Sequence, residues 1–384
     1  MHVLLAPDSF GTSLTAREAA AELAAGWSAG APGDEITVRP LSDGGPGFVE
    51  VVHAALGGTL EAATVTGPLH APVPAAVLRV GSTAYVESAH AVGLGLVPAD
   101  RRDPGRTTSR GVGELVDLAV RGGARRVVVG LGGSSTNDAG AGALVGLGLD
   151  VPALALGGAG LGEVRAAELR GLRALRERLG GVELVVAADV DVPLLGLQGA
   201  SAGFAPQKGA TPEQAQELER SLASFARAAV DALGDALRPD LIDGTQPVRR
   251  LTTAPGAGAA GGLGFGLQLV GARLVPGAAF VADAVGLDDL VRSSDVVVTG
   301  EGRFDWQSLH GKATNEVATR ALRHGVPVVV VAGQVLVGRR ELAAAGITAS
   351  YAVAEAPDEV AAALADAAGS LRRRTERVAR TWSR

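Results

Sequence analysis

The sequence contains no cysteine, and this absence excludes several kinds of site at once. Disulfide bonds, cysteine-ligated iron–sulfur clusters and thiolate zinc sites all need a residue that the chain does not have. Aromatic residues make up only 3% of the sequence, although 47% of it is hydrophobic. The core must therefore be built from Val, Leu and Ala, a composition typical of α/β proteins with buried parallel strands.

Basic residues do not outnumber acidic ones, and the formal net charge of −6 argues against a general nucleic-acid-binding protein. The first apolar run, in MHVLLAPDSF, is too short for a secretory signal and is followed at once by Pro7. The longest apolar stretch, residues 140–162, is interrupted by Asp150 and Pro152, unlike a membrane span. We expect a cytoplasmic protein with no nucleic-acid or membrane partner. A homodimer is compatible with the sequence, which does not determine the oligomeric state.

Short apolar runs alternate with segments of helical period at both ends of the chain, which is the pattern of βα units. Residues 65–87 instead carry turn residues and alternating strands, as in antiparallel sheet. The 384 residues favour two domains. We predict a flavodoxin- or Rossmann-like parallel-sheet domain from residues 1–64 and 285–384, with a second α/β domain inserted at 65–284. The predicted strands include residues 3–6, 36–40, 126–130, 183–189, 295–299, 326–332 and 349–353.

Small polar and acidic residues follow five of the predicted strands. In open α/β sheets, ligands bind beyond the carboxyl ends of the strands, so we expect these clusters to share a cleft. Carboxylate oxygens suit Mg²⁺, and glycine loops with Lys or Arg suit phosphate, so the inventory favours phosphoryl transfer. The five clusters contain Asp8 and Ser9; Asp43; residues 132–138; Asp189 and Asp191; and Glu301, Arg303 and Asp305.

The cluster in VVVGLGGSSTNDAGAG has two interpretations. Small polar residues between a strand and a helix commonly form a turn and an N-cap, and this is the simpler interpretation of the stretch alone. The alternative is an anion-binding loop, because glycines allow close backbone approach and a helix N-terminus presents free N–H groups. In the second case the phosphate- or nucleotide-binding residues are Gly132, Gly133, Ser134, Ser135, Thr136, Asn137 and Asp138.

Two other short motifs are weaker. GAGAAG at residues 256–261 matches a dinucleotide-binding fingerprint, but TTAP precedes it where a strand is required. GASAG at residues 199–203 matches a serine-hydrolase elbow around Ser201, but no strand leads into it. The chain contains no Walker A motif.

Taken in order, the motifs resemble those of the type I glycerate kinases over nearly the whole chain. The matching stretches are APDSF, DGG at 43–45, TTSRGVGEL at 107–115, GLGGSSTNDAGAG at 130–142, ADVDVPLLG at 188–196, FAPQKGA at 204–210, PGAGAAGGLG at 255–264 and TGEGRFDWQSLHGK at 299–312. The resemblance implies a flavodoxin-like domain with an inserted α/β domain, and phosphorylation of D-glycerate by ATP and Mg²⁺, in many members giving 2-phosphoglycerate. It also favours the anion-binding interpretation of residues 132–138.

Candidate roles follow from the resemblance together with residue chemistry. Asp189, Asp191 and Glu301 are candidate Mg²⁺ ligands. Basic side chains that could neutralise a phosphate or substrate carboxylate are Lys208, Arg110 and Lys312. Asp8, Asp43 and Asp305 are alternative general bases, which the sequence does not rank. Ser9, Ser109 and Arg303 complete the predicted substrate-binding set.

The sequence departs from the family pattern at several motif positions. Gly11 stands where a lysine is usual, and residues 46–48 read Pro-Gly-Phe after the DGG motif in place of Glu-Gly-Thr. Val192 replaces an Asn, and Trp306 replaces a polar residue. Two further functions are therefore considered: phosphorylation of a bulkier hydroxy acid, and ligand binding without catalysis.

Overall fold

The computed structural model describes residues 1–188, 190–237, 244, 246–309 and 311–383. The chain divides into two compact units. The terminal unit contains Met1–Asp43, Glu50–Gly57 and Pro276–Arg384, and the middle unit contains Gly44–Val49 and Gly58–Val275. The sequence pattern does not separate residues 44–49 from the N-terminal part, and it places the two boundaries after residues 64 and 284.

The described residues form thirteen strands and sixteen α-helices. The strands are β1 (His2–Leu5), β2 (Glu35–Val38), β3 (Thr59–Thr66), β4 (Pro72–Val80), β5 (Thr83–Glu87), β6 (Arg126–Gly130), β7 (Glu183–Ala188), β8 (Arg273–Pro276), β9 (Val296–Thr299), β10 (Arg303–Phe304), β11 (Val328–Ala332), β12 (Gln334–Val335) and β13 (Ala349–Ala352). The helices are α1 (Ala16–Gly30), α2 (Phe48–Leu56), α3 (Ala89–Val92), α4 (Arg110–Arg121), α5 (Ala141–Gly146), α6 (Gly171–Leu179), α7 (Ala200–Phe204), α8 (Pro212–Leu233), α9 (Pro247–Thr253), α10 (Ala259–Leu269), α11 (Gly277–Ala284), α12 (Leu287–Arg292), α13 (Ala313–His324), α14 (Arg339–Ala344), α15 (Val360–Ala365) and α16 (Ala367–Trp382).

The terminal unit is built on a parallel sheet with the strand order β13-β11-β9-β1-β2. Strands β9 and β11 consist entirely of buried residues, which is expected of parallel strands in the interior of an α/β unit. Helix α1 begins after Thr15, whose hydroxyl accepts the Glu18 amide while the Glu18 carboxylate accepts the Thr15 amide. The parallel pairing brings the carboxyl ends of all five strands to one edge.

The middle unit has a mixed sheet with the order β3-β4-β5-β6-β7-β8. Strands β3, β4 and β5 are antiparallel, whereas β5, β6 and β7 pair in parallel. Its core contains an edge-to-face pair, Phe225 and Phe265, with ring centroids 6.5 Å apart. The predicted fold class, a parallel-sheet domain from both chain ends with an inserted α/β domain, is confirmed.

Across the described part of the chain, every helix is too short or too polar to cross a lipid bilayer.

Candidate active site

Three carboxyl groups lie together at the carboxyl edge of the sheet in the terminal unit. Asp8 follows β1, and Glu301 follows the neighbouring strand β9. The Asp8 amide donates to Gly300 O at 2.9 Å, which joins the loops after these two strands. Asp43 and Glu301 both act electrostatically on Asp8 and raise its pKa. Residues from three separate sequence motifs therefore form one acidic cluster.

Asp8 has the environment of a carboxyl group that takes up a proton easily. Burial, reinforced by the nearby Asp43 carboxylate, raises the pKa of Asp8 well above its ordinary value. The Ser9 amide donates to Asp8 Oδ1 at 2.6 Å, which opposes this rise without cancelling it. A raised carboxyl pKa suits a general base that works near neutral pH.

Lys312 lies beside Glu301 and is one basic side chain against the three carboxyl groups of the cluster. Lys312 Nζ lies 3.9 Å from Glu301 Oε2, yet burial raises the pKa of Glu301 despite this lysine. Glu301 Oε1 is buried and has no hydrogen-bond partner among the described residues. One lysine thus lies beside three carboxyl groups, and a buried carboxylate oxygen such as Glu301 Oε1 is the type of donor that Mg²⁺ prefers.

Asp305 and Arg303 form a local turn beside the cluster. Asp305 Oδ1 accepts the Gln307 amide at 2.9 Å, and Asp305 Oδ2 lies 3.3 Å from Arg303 Nε. These contacts support the short 3₁₀ helix Trp306–Leu309. The oxygens of Asp305 are therefore engaged locally, which favours Asp8 over Asp305 as the general base. Trp306, on this helix, is 65% exposed.

Gly11 and Phe48, two departures from the family pattern, lie in different surroundings. Gly11 has a φ of +59°, and a Cβ at this position would meet no atom within 4 Å. Phe48, in contrast, is fully buried in the middle unit and packs on Tyr85 with ring centroids 6.1 Å apart. Glu87 accepts the amides of Gly47 and Val49, so it caps α2, which begins at Phe48. Phe48 is a core residue.

The glycines of the loop at residues 132–138 allow backbones to pack closely. A Cβ on Gly132 would lie 2.5 Å from Gly45 Cα, and one on Gly133 would lie 2.8 Å from the Pro46 ring. A Cβ on Gly44 would lie 2.6 Å from the carbonyl oxygen of Ala187. Such distances exclude any side chain larger than hydrogen. These glycines bring the DGG loop against the loop after β6.

Most polar side chains of the same loop are engaged within the middle unit. Ser135 donates to Val92 O, and Thr136 donates to Ala260 O. Asp138 is fully buried and accepts hydrogen bonds from the Ser109 amide and hydroxyl and from the amides of residues 140 and 142. Ser109, a predicted substrate-binding residue, is itself buried by these contacts. These four side chains therefore hold the loop in shape.

Asn137 and Ser134 differ from their neighbours. Asn137 donates to Ser201 Oγ at 2.9 Å, but its own Oδ1 is buried without a hydrogen-bond partner among the described residues. Ser134 Oγ accepts a hydrogen bond from Lys208 Nζ at 2.9 Å. Lys208 thus reaches into the loop from the turn Pro206–Lys208.

Lys208 is a buried cation whose hydrogen-bond partners are neutral. Its Nζ donates to Ser134 Oγ and, at 2.7 Å, to the carbonyl oxygen of Thr136. Burial lowers its pKa from 10.5 to about 7, and the Asp138 carboxylate opposes this shift only in part. An ammonium group has three N–H donors, so one remains for a ligand. A buried ammonium without a carboxylate partner favours binding of an anion.

Arg110 and the acidic residues after β7 are more exposed. Arg110 Nε lies 2.9 Å from Glu114 Oε1, so its charge already has a partner. Asp191 is exposed, and Asp189 lies outside the described residues. Where the structure describes the chain, no group of three or more His, Cys, Asp or Glu side chains is arranged to hold a metal ion. A Mg²⁺ ion would then depend on one or two carboxylates together with phosphate oxygens and water.

The two weaker motifs have structural explanations. Residues 255–264 pack against the loop at 132–138, and a Cβ on Gly261 would lie 1.9 Å from the carbonyl oxygen of Thr136. Ala139 and Ala260, both with a φ of 52°, adopt strained left-handed backbone at this contact. Ser201, at the centre of GASAG, is fully buried and accepts the Asn137 hydrogen bond. Neither motif forms the site that its pattern suggests.

An acidic cluster at the edge of a parallel sheet and a buried lysine suited to an anion are the parts that an α/β phosphotransferase requires, because phosphoryl transfer depends on positioning and charge neutralisation. Residues 3–383 match the glycerate kinase family, and the chain belongs to this family. It is a phosphotransferase with an alcohol group as acceptor.

Individual relatives agree with this assignment. The chain is 40% identical to a glycerate kinase of Bacillus subtilis over 361 residues, which cover 92% of this chain and 90% of that protein. It is 40% identical to a glycerate 2-kinase of Escherichia coli over 341 residues, 87% of this chain and 85% of the relative. A crystal structure of a Salmonella typhimurium protein, described as glycerate kinase 2, superimposes with a TM-score of 0.76 at 36% identity, covering 99% and 98% of the two chains.

Proposed function

We propose that the protein uses ATP and Mg²⁺ to phosphorylate D-glycerate, with 2-phosphoglycerate as the product. The relatives named glycerate kinase and glycerate 2-kinase support the acceptor and the position of transfer. The environment of Lys208 is the structural observation that supports the proposal most strongly. Its ammonium group is buried with neutral partners, so an anionic substrate group would complete the site.

In this proposal, Lys208 and Ser134 bind an anionic group of the substrate or the phosphoryl donor. An anion beside Lys208 keeps the ammonium form protonated, since the attraction offsets the cost of burial. The backbone of Gly132 and Gly133 and the free oxygen of Asn137 complete this half of the machinery. Ser135, Thr136, Asp138 and Ser109 keep the loop rigid.

Asp8 acts as the general base. As the substrate hydroxyl oxygen forms its bond to the γ-phosphorus, the bond to the β-phosphate oxygen breaks and Asp8 accepts the hydroxyl proton. Asp43 supports this role by raising the pKa of Asp8. Ser9 orients the Asp8 carboxylate through its amide. The products are the phosphate ester, ADP and a protonated Asp8.

Two alternative sets of carboxylates are proposed as Mg²⁺ ligands. One is Glu301, whose Oε1 is buried without a hydrogen-bond partner among the described residues, and the other is the sequence-predicted pair Asp189 and Asp191. The ion would neutralise charge on the phosphate chain. Lys312 compensates part of the charge on Glu301. Arg303 and Arg110 are exposed and pair with Asp305 and Glu114, so a substrate carboxylate would compete with these two acidic partners.

A larger acceptor is the second candidate. Trp306 is largely exposed where the family has a polar residue, and the space around Gly11 is open. Phe48 does not contribute to this argument, because it is a core residue. An exposed indole favours contact with an apolar group on the acceptor. Comparing D-glycerate with a larger 2-hydroxy acid separates the two candidates.

Binding of Mg-ATP is expected to stabilise the protein against heat. A ligand at about a hundred times its Kd adds about 2.7 kcal/mol to the free energy of unfolding. The measurement is a thermal melt with saturating Mg-ATP, and the controls are Mg²⁺ alone and adenosine. A melting temperature that does not respond to Mg-ATP would contradict the nucleotide assignment.

A further inference from the structure

A basic cavity lies in the middle unit, separate from the side chains assigned above. Its volume is about 750 Å³, which is in the range of small-molecule binding sites. Three arginines line it, and all belong to one short stretch, ADRRDPGR, between β5 and α4. They are Arg101, Arg102 and Arg106.

These three arginines have no carboxylate partner among the described residues. Among the described residues, none of the three lies within ion-pair distance of a carboxylate, although Asp100 and Asp103 also line the cavity. Asp103 Oδ1 instead accepts the Gly105 amide at 3.0 Å. Arg102 Nε is buried and makes no hydrogen bond to the described part of the chain. A buried guanidinium N–H without a hydrogen-bond partner destabilises the folded protein, and a bound anion that accepts this hydrogen bond would remove that cost.

The local backbone holds the cavity in a fixed shape. His70, on the loop between β3 and β4, has a φ of 66°, which is uncommon for a residue with a side chain. Its Nε2 lies 3.1 Å from the carbonyl oxygen of Arg106, so the β3–β4 loop is tied to the arginine-rich stretch. Strained backbone of this kind persists where the surrounding structure enforces it, often at ligand sites.

The cavity also adjoins the turn that carries Lys208. Gly209 has a φ of +104°, and a Cβ there would lie 2.4 Å from the carbonyl oxygen of Arg102. Any side chain at residue 209 would separate the two segments. The backbone of the arginine-rich stretch is therefore in direct contact with the residue that follows Lys208.

We propose that this cavity, lined by Arg101, Arg102, Arg106 and His70, binds the phosphate groups of a phosphorylated small molecule. Guanidinium groups bind phosphate through paired, charge-assisted hydrogen bonds, and a cavity of this size holds a nucleotide. The proposal deepens the proposed function, and rests on it, where the phosphates are those of the phosphoryl donor. Phosphate in another molecule, such as the phosphorylated product, has the same chemistry.

The experiment compares Arg102→Gln and Arg106→Gln with the wild type by isothermal titration. The probes are tripolyphosphate, ATP, inorganic phosphate, 2-phosphoglycerate and adenosine. Each substitution is expected to weaken the binding of tripolyphosphate and of ATP about tenfold or more, and to leave the affinity for adenosine unchanged. Added salt should reduce the difference, because exposed charges are screened. The matched control is Arg339→Gln with Arg340→Gln, an exposed arginine pair on α14, which should change no affinity.

The outcomes separate the sources and the two proposals. If the substitutions weaken the binding of inorganic phosphate and 2-phosphoglycerate only, the cavity binds the phosphorylated product and its assignment as a phosphate site stands. If no phosphate compound weakens, or if the control pair weakens binding equally, the assignment is wrong. If the wild type phosphorylates D-glycerate but the variants bind every phosphate compound as tightly as the wild type does, only the proposal for the cavity is wrong. If the variants bind phosphate compounds more weakly but the wild type transfers no phosphoryl group, only the proposed function is wrong.

Discussion

Replacing Asp8 with Asn is expected to lower kcat by about 10²–10⁴-fold, the range found when a general base is removed. The same substitution should raise the melting temperature at neutral pH. Burial and Asp43 raise the pKa of Asp8, so the ionised carboxylate costs stability in the folded state. Asn has the same shape and still offers an oxygen to the Ser9 amide. Activity and stability should therefore change in opposite directions.

The pH dependence of this effect has a defined sign. A carboxyl group whose pKa is raised on folding contributes stability below its unfolded pKa, and this contribution is lost as pH rises through the raised value. The advantage of Asp8→Asn should accordingly appear above about pH 4 and increase with pH. Thermal melts from pH 4 to pH 8 measure it, alongside kcat.

Asp34→Asn is the matched control. Burial raises the pKa of Asp34, but hydrogen bonds from Trp27, the N-terminal ammonium group and Ser383 outweigh burial and lower it. This variant should lose stability above about pH 4 and keep its turnover. If Asp8→Asn behaved like Asp34→Asn, with lower stability and normal kcat, Asp8 would be a structural residue.

Replacing Lys208 with Met is expected to reduce kcat/KM by about 10²–10³-fold, as for the loss of one donor that stabilises transition-state charge. Met retains an unbranched apolar side chain that ends one atom before the lysine Nζ, and it removes the charge. Ser134 Oγ and the carbonyl oxygen of Thr136 lose a donor, yet the cost of a buried ammonium group disappears as well. The fold should survive while activity is lost.

The pH dependence of the free energy of unfolding should also depend on Lys208. Between about pH 7 and the ordinary lysine pKa of 10.5, the unfolded chain holds a proton on Lys208 that the folded chain lacks. Stability rises with pH wherever the unfolded state binds more protons, so the wild type should gain stability across this window from Lys208. Lys208→Met should remove that gain, and Arg339→Met, at an exposed position, should not. Thermal melts between pH 7 and 10 test this, and identical pH profiles for wild type and Lys208→Met would contradict the buried, shifted lysine.

Local patterns were sufficient to predict much of the fold. Thr15 and Glu18 form a capping box at the start of α1, and β6 has the predicted bounds, Arg126–Gly130. Both depend on neighbouring residues in the sequence. The antiparallel strands β3, β4 and β5 also follow from alternation and turn residues.

Burial was harder to predict, because tertiary contacts decide it. Phe48 is one of the departures from the family pattern, and its contact with Tyr85 places it in the core. The hydroxyls of Ser135 and Thr136 were predicted ligand donors, yet carbonyl groups more than 40 residues away in sequence accept their hydrogen bonds. Sequence pattern carries no information about such distant partners.

Composition is a further signal of functional residues. Lys208 and Lys312 are the only lysines among the 35 basic residues of the sequence. Arginine stays charged at all accessible pH values, whereas lysine shifts its pKa when buried, so a chain that otherwise uses arginine marks these two positions. Three arginines within ADRRDPGR were a similar signal for the basic cavity.

The central claim, phosphoryl transfer to D-glycerate, is tested most directly by identifying the product. Purified wild-type protein is incubated with Mg-ATP and D-glycerate, and ³¹P NMR distinguishes 2-phosphoglycerate from 3-phosphoglycerate and from inorganic phosphate. Parallel reactions use a larger 2-hydroxy acid, and Asp8→Asn is the inactive control. The account predicts 2-phosphoglycerate from the wild type at a higher kcat/KM than for the larger acid, and almost none from Asp8→Asn. Preferential phosphorylation of the larger acid, or no phosphate ester with any acceptor, would contradict it.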